Sequence, residues 1–140
     1  MVRPAAGVEN VLMSPSAVRS AQVVRALVAG DVLALQPLVH PEVVDHSAAP
    51  GQPEGWSGLR ERAMTMCAAV HDSAAPVEVL CVDGDTAMCR VQLVGVPRRG
   101  SLVPQSGSLV VVFVLRFEGD LLRELWTSTD VCMPADVSLA

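Results

Sequence analysis

The apolar spacing of this chain changes once, at Pro76, and that change limits its fold more than any other feature. Before Pro76 apolar residues recur at helical spacing; after it they alternate, one face to the next. Ala17, Val18, Ala21, Val24, Leu27 and Val28 form a helical stripe behind a cap predicted at Ser16. Gly30 ends that helix, and Asp31 can cap a second, shorter one with Val32, Leu35 and Leu38 on one face. Pro37 bends or ends it, and His40-Pro41 closes it. Glu42 to His46 is then a short extended piece. Residues 47–58 hold two Pro, three Gly and one Trp, which reads as a loop over the surface or over a pocket mouth. A third helix is predicted from about Leu59 to Val70, with Leu59, Ala63, Met66, Cys67 and Val70 as its apolar face.

Beyond Pro76, Val77, Val79 and Cys81 alternate with Glu78, Leu80 and Val82. Asp83-Gly84-Asp85 is a hairpin turn into a strand from Thr86 to Val96. After a loop with Pro97, Gly100 and Pro104, Leu109 to Phe117 is apolar on both faces, as a central strand is. Glu118-Gly119-Asp120 turns the chain into a last strand, Leu121 to Asp130. Helices followed by strands predict an α+β fold with the helices on one face of a curved antiparallel sheet. The expected organisation is a loose arm over 1–15, one domain over 16–132 and a tail over 133–140.

At 140 residues the chain can bury a core, and its 51% hydrophobic and 18% charged composition gives it more apolar surface than one small core uses. The outlets are an internal pocket or a subunit interface. Val110, Val112 and Val114 share a face with Arg116, so a homodimer through the sheet is expected. A net charge of −5, with Arg98-Arg99 the one tight basic cluster, argues against nucleic acid. No apolar run reaches membrane-spanning length, and 1–15 lacks a signal-peptide pattern, so no membrane partner is expected. Cys67, Cys81, Cys89 and Cys132 form no CxxC pair and no zinc spacing, which suits reduced thiols in a cytoplasmic protein.

Two places could carry chemistry. In the last strand Glu124, Trp126, Ser128 and Asp130 alternate onto one face, leaving Leu125, Thr127 and Thr129 on the other. A carboxyl group beside an indole suits a small-molecule pocket, where burial raises its pKa toward the range useful for proton transfer. Alternatively, Asp130 ends a strand in solvent. Asp45-His46 is the second place: a pocket-mouth acid, base or donor, or a tie between the loop and backbone carbonyls. If the chain is extended there, the two side chains point to opposite faces. His71 suits a helix C-terminus and Asp72 a turn, and no spacing supports a metal site.

These residues together resemble the SnoaL-like polyketide cyclases, within the nuclear transport factor 2-like superfamily of cone-shaped α+β folds. Carrying the likeness are "VVDHS" with Asp45-His46, "GWSGLR" over Gly55 to Arg60, His71-Asp72, Gly84-Asp85, and the closing Glu124, Trp126 and Asp130. It covers about Ala17 to Asp130. The family's Gly-Thr-His near the end of the second long strand reads Gly95-Val96-Pro97 here. The resemblance implies an acid/base carboxyl in a deep apolar pocket, working without metal or cofactor, and Asp130 matches it. His46 and Asp45 are its expected helpers. Trp126, Trp56, Glu124, Ser128, Cys89, Val91 and Met66 are the expected wall around an apolar substrate. The implied activity is ring closure in secondary metabolism, by aldol chemistry or by opening an epoxide. The alternatives are a non-catalytic binder or accessory subunit to an oxygenase, and a hydrolase or dehydratase.

Overall fold

A computed structural model of the protein describes residues 14–69, 76–94 and 108–132; residues 1–13 of the arm, the tail, His71-Asp72 and Gly95-Val96-Pro97 lie outside these. The side chains at 67–69, 94, 108 and 130–132 also lie outside the described part. Helix α1 spans Pro15–Ala29. Its cap is Ser14, not the Ser16 expected: Ser14 Oγ accepts from the Ala17 N–H at 3.1 Å. Pro15 follows at the first helical position, where its missing N–H costs nothing. Ser16 instead donates to the Gly84 carbonyl at 2.9 Å, tying α1 to a hairpin turn. Gly30 closes the helix, and Asp31 caps α2 (Val32–Leu35) by accepting from Ala34 N–H at 3.1 Å. A 3-10 turn, Gln36–Leu38, contains Pro37 and leads into β1, Val39–Asp45.

Helix α3 spans Gly55–Ala69, so it starts four residues before the predicted Leu59. Four strands follow: β2 (Val77–Asp83), β3 (Thr86–Val94), β4 (Ser108–Glu118) and β5 (Leu121–Cys132). Two-residue turns with positive φ at Gly84 and Gly119 join β2 to β3 and β4 to β5, as the sequence indicated. The order across the sheet is β1-β5-β4-β3-β2. Strands β2 to β5 pair antiparallel, but β1 lies parallel to β5 at one edge, so the sheet is mixed rather than antiparallel throughout. An edge strand tolerates Pro41, which has no N–H to give to a ladder.

Helices α1 and α3 pack on each other and cover one face of the sheet. Between the layers lie Val24, Leu27, Leu35, Val43, Leu59, Ala63, Phe113, Leu115, Leu122 and Leu125, all buried. The two buried leucines of β5 are three residues apart because the strand carries one extra residue. Phe117 faces Leu122 and Arg116 faces Glu124, leaving Arg123 unpaired between them. That bulge resets which residues of β5 face the helices.

Candidate functional site

Beyond the bulge, β5 alternates regularly. Leu125 and Thr127 point to the helix layer, since Leu125 is wholly buried and Thr127 pairs with buried Phe113. Glu124, Trp126 and Ser128 therefore point away from it, as do their partners Arg116, Val114 and Val112 on β4. The expectation that these three β5 side chains form one pocket wall with Cys89 and Val91 does not hold. Cys89 and Val91 are on the covered face, at 0% and 1% exposure, while Trp126 is 37% exposed on the other. Cys89 is core: burial, above all, raises its thiol pKa, and Ser20 of α1 hydrogen-bonds it from the helix side.

On the open face the structure brings together three of the expected residues. The His46 ring stacks on Trp126, with centroids 4.5 Å apart and planes 5° from parallel. His46 Nε2 lies 3.0 Å from Glu124 Oε1, and Arg116 Nε–H donates to Glu124 Oε2. The Arg116 hydrogen bond first, then that from His46, holds the Glu124 carboxyl below its ordinary pKa. An ionised carboxylate only accepts, so Nε2 carries the proton of this bond. Arg116 had drawn no functional expectation; its place opposite Glu124 on the next strand was readable only once the bulge was known.

Asp45 points the other way, as extended geometry predicted for neighbours. Its side chain is 6% exposed. Oδ1 accepts from Arg62 Nη1 of α3 at 2.6 Å and from Ser47 N–H at 3.0 Å, and Oδ2 accepts from Gln52 at 3.0 Å. A carboxylate with both oxygens so engaged by a guanidinium and an amide is an anchor rather than a free acid or base. It pins the loop that the sequence placed over a pocket mouth. A groove of about 590 Å³ opens beside it, between β1 and that loop, past Pro41, Val44, Ala48, Pro53 and Arg123. Charged Glu42, Glu54 and Arg123 line that groove, so it is not the apolar pocket expected.

On the helix-facing side of β5 polarity begins at Thr127. Along the helix-facing side of β5, Leu122 and Leu125 are sealed, Thr127 is half-buried and Thr129 is exposed, so the core opens toward the end of the strand. The Thr127 Oγ1 is buried and has no hydrogen-bond partner among the described residues. Met66 lies one helical turn beyond Arg62 on α3 and packs half-buried against the core. Trp56 sits at the opposite end, next to Gly55, which approaches the Pro41 carbonyl. It packs half-buried on the core and does not meet Trp126. Asp130 pairs with Val110 through its backbone; its side chain lies outside the described residues. Among the described residues no group of His, Cys, Asp and Glu could hold a metal ion.

The family model of the SnoaL-like polyketide cyclases matches residues 18–133. The chain belongs to the SnoaL-like polyketide cyclase family. Among solved structures, this SnoaL-like chain is similar to TsrD of Streptomyces laurentii, at 22% identity over 92% of each chain, TM-score 0.60. It is also similar to a protein of Bacillus cereus ATCC 10987 named as a candidate polyketide cyclase. That likeness has 18% identity, covers 84% of this chain and 75% of the other, and has a TM-score of 0.64. A de novo designed protein with a curved β-sheet matches at 14% identity, over 84% of this chain and 87% of that one, TM-score 0.61. At such identities the likeness shows the fold alone, and fold does not by itself fix an activity. No curated protein matches the SnoaL-like chain. Among its described residues no helix is long and apolar enough to cross a membrane.

Proposed function

We propose that this chain closes a ring in a polyketide-type secondary metabolite by acid/base catalysis, without a cofactor. The substrate would sit between the helix layer and the far end of β5. One observation carries the placement: on the helix-facing side of β5 the sealed apolar core gives way to Thr127 and then to exposed Thr129. An apolar recess with a few polar groups at its mouth is what a small-molecule site needs.

Asp130, the next residue along, is our acid/base group. Its carboxylate would take a proton from the carbon beside a substrate carbonyl. The enolate would attack a second carbonyl of the same molecule, and the proton would return to the new alkoxide. In its protonated form the same group could protonate an epoxide oxygen as an internal hydroxyl attacks the ring carbon, and the hydroxyl's proton would return to it, giving a cyclic ether. Folding the substrate so that its two ends meet would supply most of the gain. Pairing with β4 stays regular through Asp130, opposite Val110, so this assignment asks the carboxyl to leave the alternation that turns Glu124, Trp126 and Ser128 outward. His46 takes no part in the proton transfer, since its ring is stacked on Trp126 across the sheet.

The test is Asp130→Asn with linear polyketide-type substrates followed by mass spectrometry and NMR of the product. Turnover should fall at least about 100-fold. Turnover within a few-fold of wild type overturns Asp130 as the proton carrier, and retained binding with no chemical change in the wild type would make the chain a binder.

A further inference from the structure

The orphaned hydroxyl on the covered face is held in an unusual way. Thr127 has both backbone groups fixed by one side chain. Its N–H donates to Ser47 Oγ at 2.9 Å, and the Ser47 hydroxyl donates to the Thr127 carbonyl at 3.0 Å. Strand β1 stops pairing with β5 at Asp45, so the Ser47 side chain stands in for the next residue of an edge strand. Ser47 is itself fixed, because its N–H donates to Asp45 Oδ1 at 3.0 Å. Asp45 in turn is clamped by Arg62 from α3 and by Gln52 from the loop. The chain Arg62–Asp45–Ser47–Thr127 thus links helix, loop and sheet, and it ends on the backbone of a residue whose hydroxyl has no partner among the described residues.

Buried polar groups are nearly always paired, and leaving one unpaired destabilises a fold. A rigid backbone that holds an unsatisfied, enclosed hydroxyl two residues from the exposed Thr129 has the form of a ligand contact. We infer that Thr127 Oγ1 binds an oxygen of an apolar small molecule, a hydroxyl or a carbonyl, and that Ser47 and Asp45 are its positioning residues. A threonine hydroxyl both donates and accepts, so either oxygen type fits. The ligand's apolar body would lie toward α3, where Met66 packs half-buried against the core. This inference shares its location with the proposed ring closure but does not depend on turnover.

The test uses a matched pair of probes, 2-naphthol and 2-methylnaphthalene, titrated into the full chain and followed by fluorescence or calorimetry. Wild type should bind the naphthol about 3- to 10-fold more tightly than the hydrocarbon, the range of one net hydrogen bond. Thr127→Val keeps the shape and removes the hydroxyl, so it should abolish that preference without lowering the melting temperature. Thr127→Ser should retain it. Ser47→Ala should reduce the preference, and Ser47→Thr should restore it. If wild type binds neither probe, shows no preference, or Thr127→Val keeps the preference, the inference is wrong. If Thr127→Val does not fold, the comparison rests on Thr127→Ala, read the same way. A chain that discriminates the probes yet closes no ring keeps this inference and sinks the cyclase reading. A wild-type chain that closes rings but shows no discrimination, and whose Thr127→Val variant cyclises equally well, does the reverse.

Discussion

At the scale of single residues, Asp45 shows how a sequence motif can name a position and miss its role. The pair Asp45-His46 was visible as a polar couple at the end of a strand. Its partners Arg62 and Gln52 were not, because nothing in spacing says which face of α3 meets the end of β1. Two charges this close and this shielded stabilise only as a pair. Removing one leaves the other shielded and uncompensated, at a cost of about 3–5 kcal/mol. Asp45→Asn should therefore lower stability to urea by about that amount, discounted somewhat because Arg62 keeps some contact with water. Arg62→Met combined with it should recover part of the loss, by removing the orphaned cation. If Asp45→Asn unfolds at the wild-type midpoint, the anchor reading fails. Gly58 is a second residue whose importance a pattern hides. In a helix, Gly→Ala normally stabilises by about 1 kcal/mol. Here a methyl group at Gly58 would overlap the Pro53 carbonyl oxygen, a backbone atom that cannot swing away. Gly58→Ala should then destabilise, by about 2 kcal/mol or more as for other overpacked sites. A midpoint equal to or above wild type would show that the loop before α3 yields freely.

At the scale of elements, the alternation in β5 was legible and its orientation was not. Period two says which side chains share a face; it does not say which face the helices cover. Trp126 and Glu124 look like pocket residues by type, yet the bulge at Arg123 sends Leu122 and Leu125 inward and these two outward. The parallel pairing of β1 was equally hidden, since a strand of seven residues with a proline carries no mark of its neighbour's direction. The same outward turn gives a pH prediction. Arg116 on β4 and His46 beyond β1 hold Glu124 of β5 between them, and its pKa is lowered. A carboxylate with a depressed folded-state pKa stabilises the fold fully above the ordinary glutamate range. The contribution disappears as pH falls through the lower, folded value. The stability difference between wild type and Glu124→Gln should thus be present above the ordinary glutamate range and shrink as pH falls below it. It should also shrink with added salt, because the group is in contact with water. A difference that grows on acidification would contradict the ion pair.

At the scale of the whole molecule, the apolar surplus read from composition divides between the covered core and the open sheet face. Val110, Val112 and Val114 on β4 are only half-buried, with Met88 and Trp126 beside them on the flanking strands. Ion pairs bound this strip on both sides: Arg90 with Glu78 at 2.7 Å toward β2, and Arg116 with Glu124 toward β1. An apolar centre with a polar rim is the anatomy of an interface. The rim carries both signs in equal number, which does not suit a polyanion or a polycation. Two copies related by a twofold axis could set each arginine of one against a glutamate of the other. We therefore predict a homodimer through this face, covering the His46–Trp126 stack at its margin. Light scattering at micromolar concentration should give twice the chain mass. Val112→Glu, which places an unpaired charge at the centre of the strip, should give a monomer. Its melting temperature should fall no more than the loss of the partner accounts for, because Val112 contributes nothing to the core beneath α1 and α3. A wild-type chain that is monomeric at these concentrations would remove the dimer. The apolar strip would then be open sheet surface, and Trp126 would serve only to seat His46.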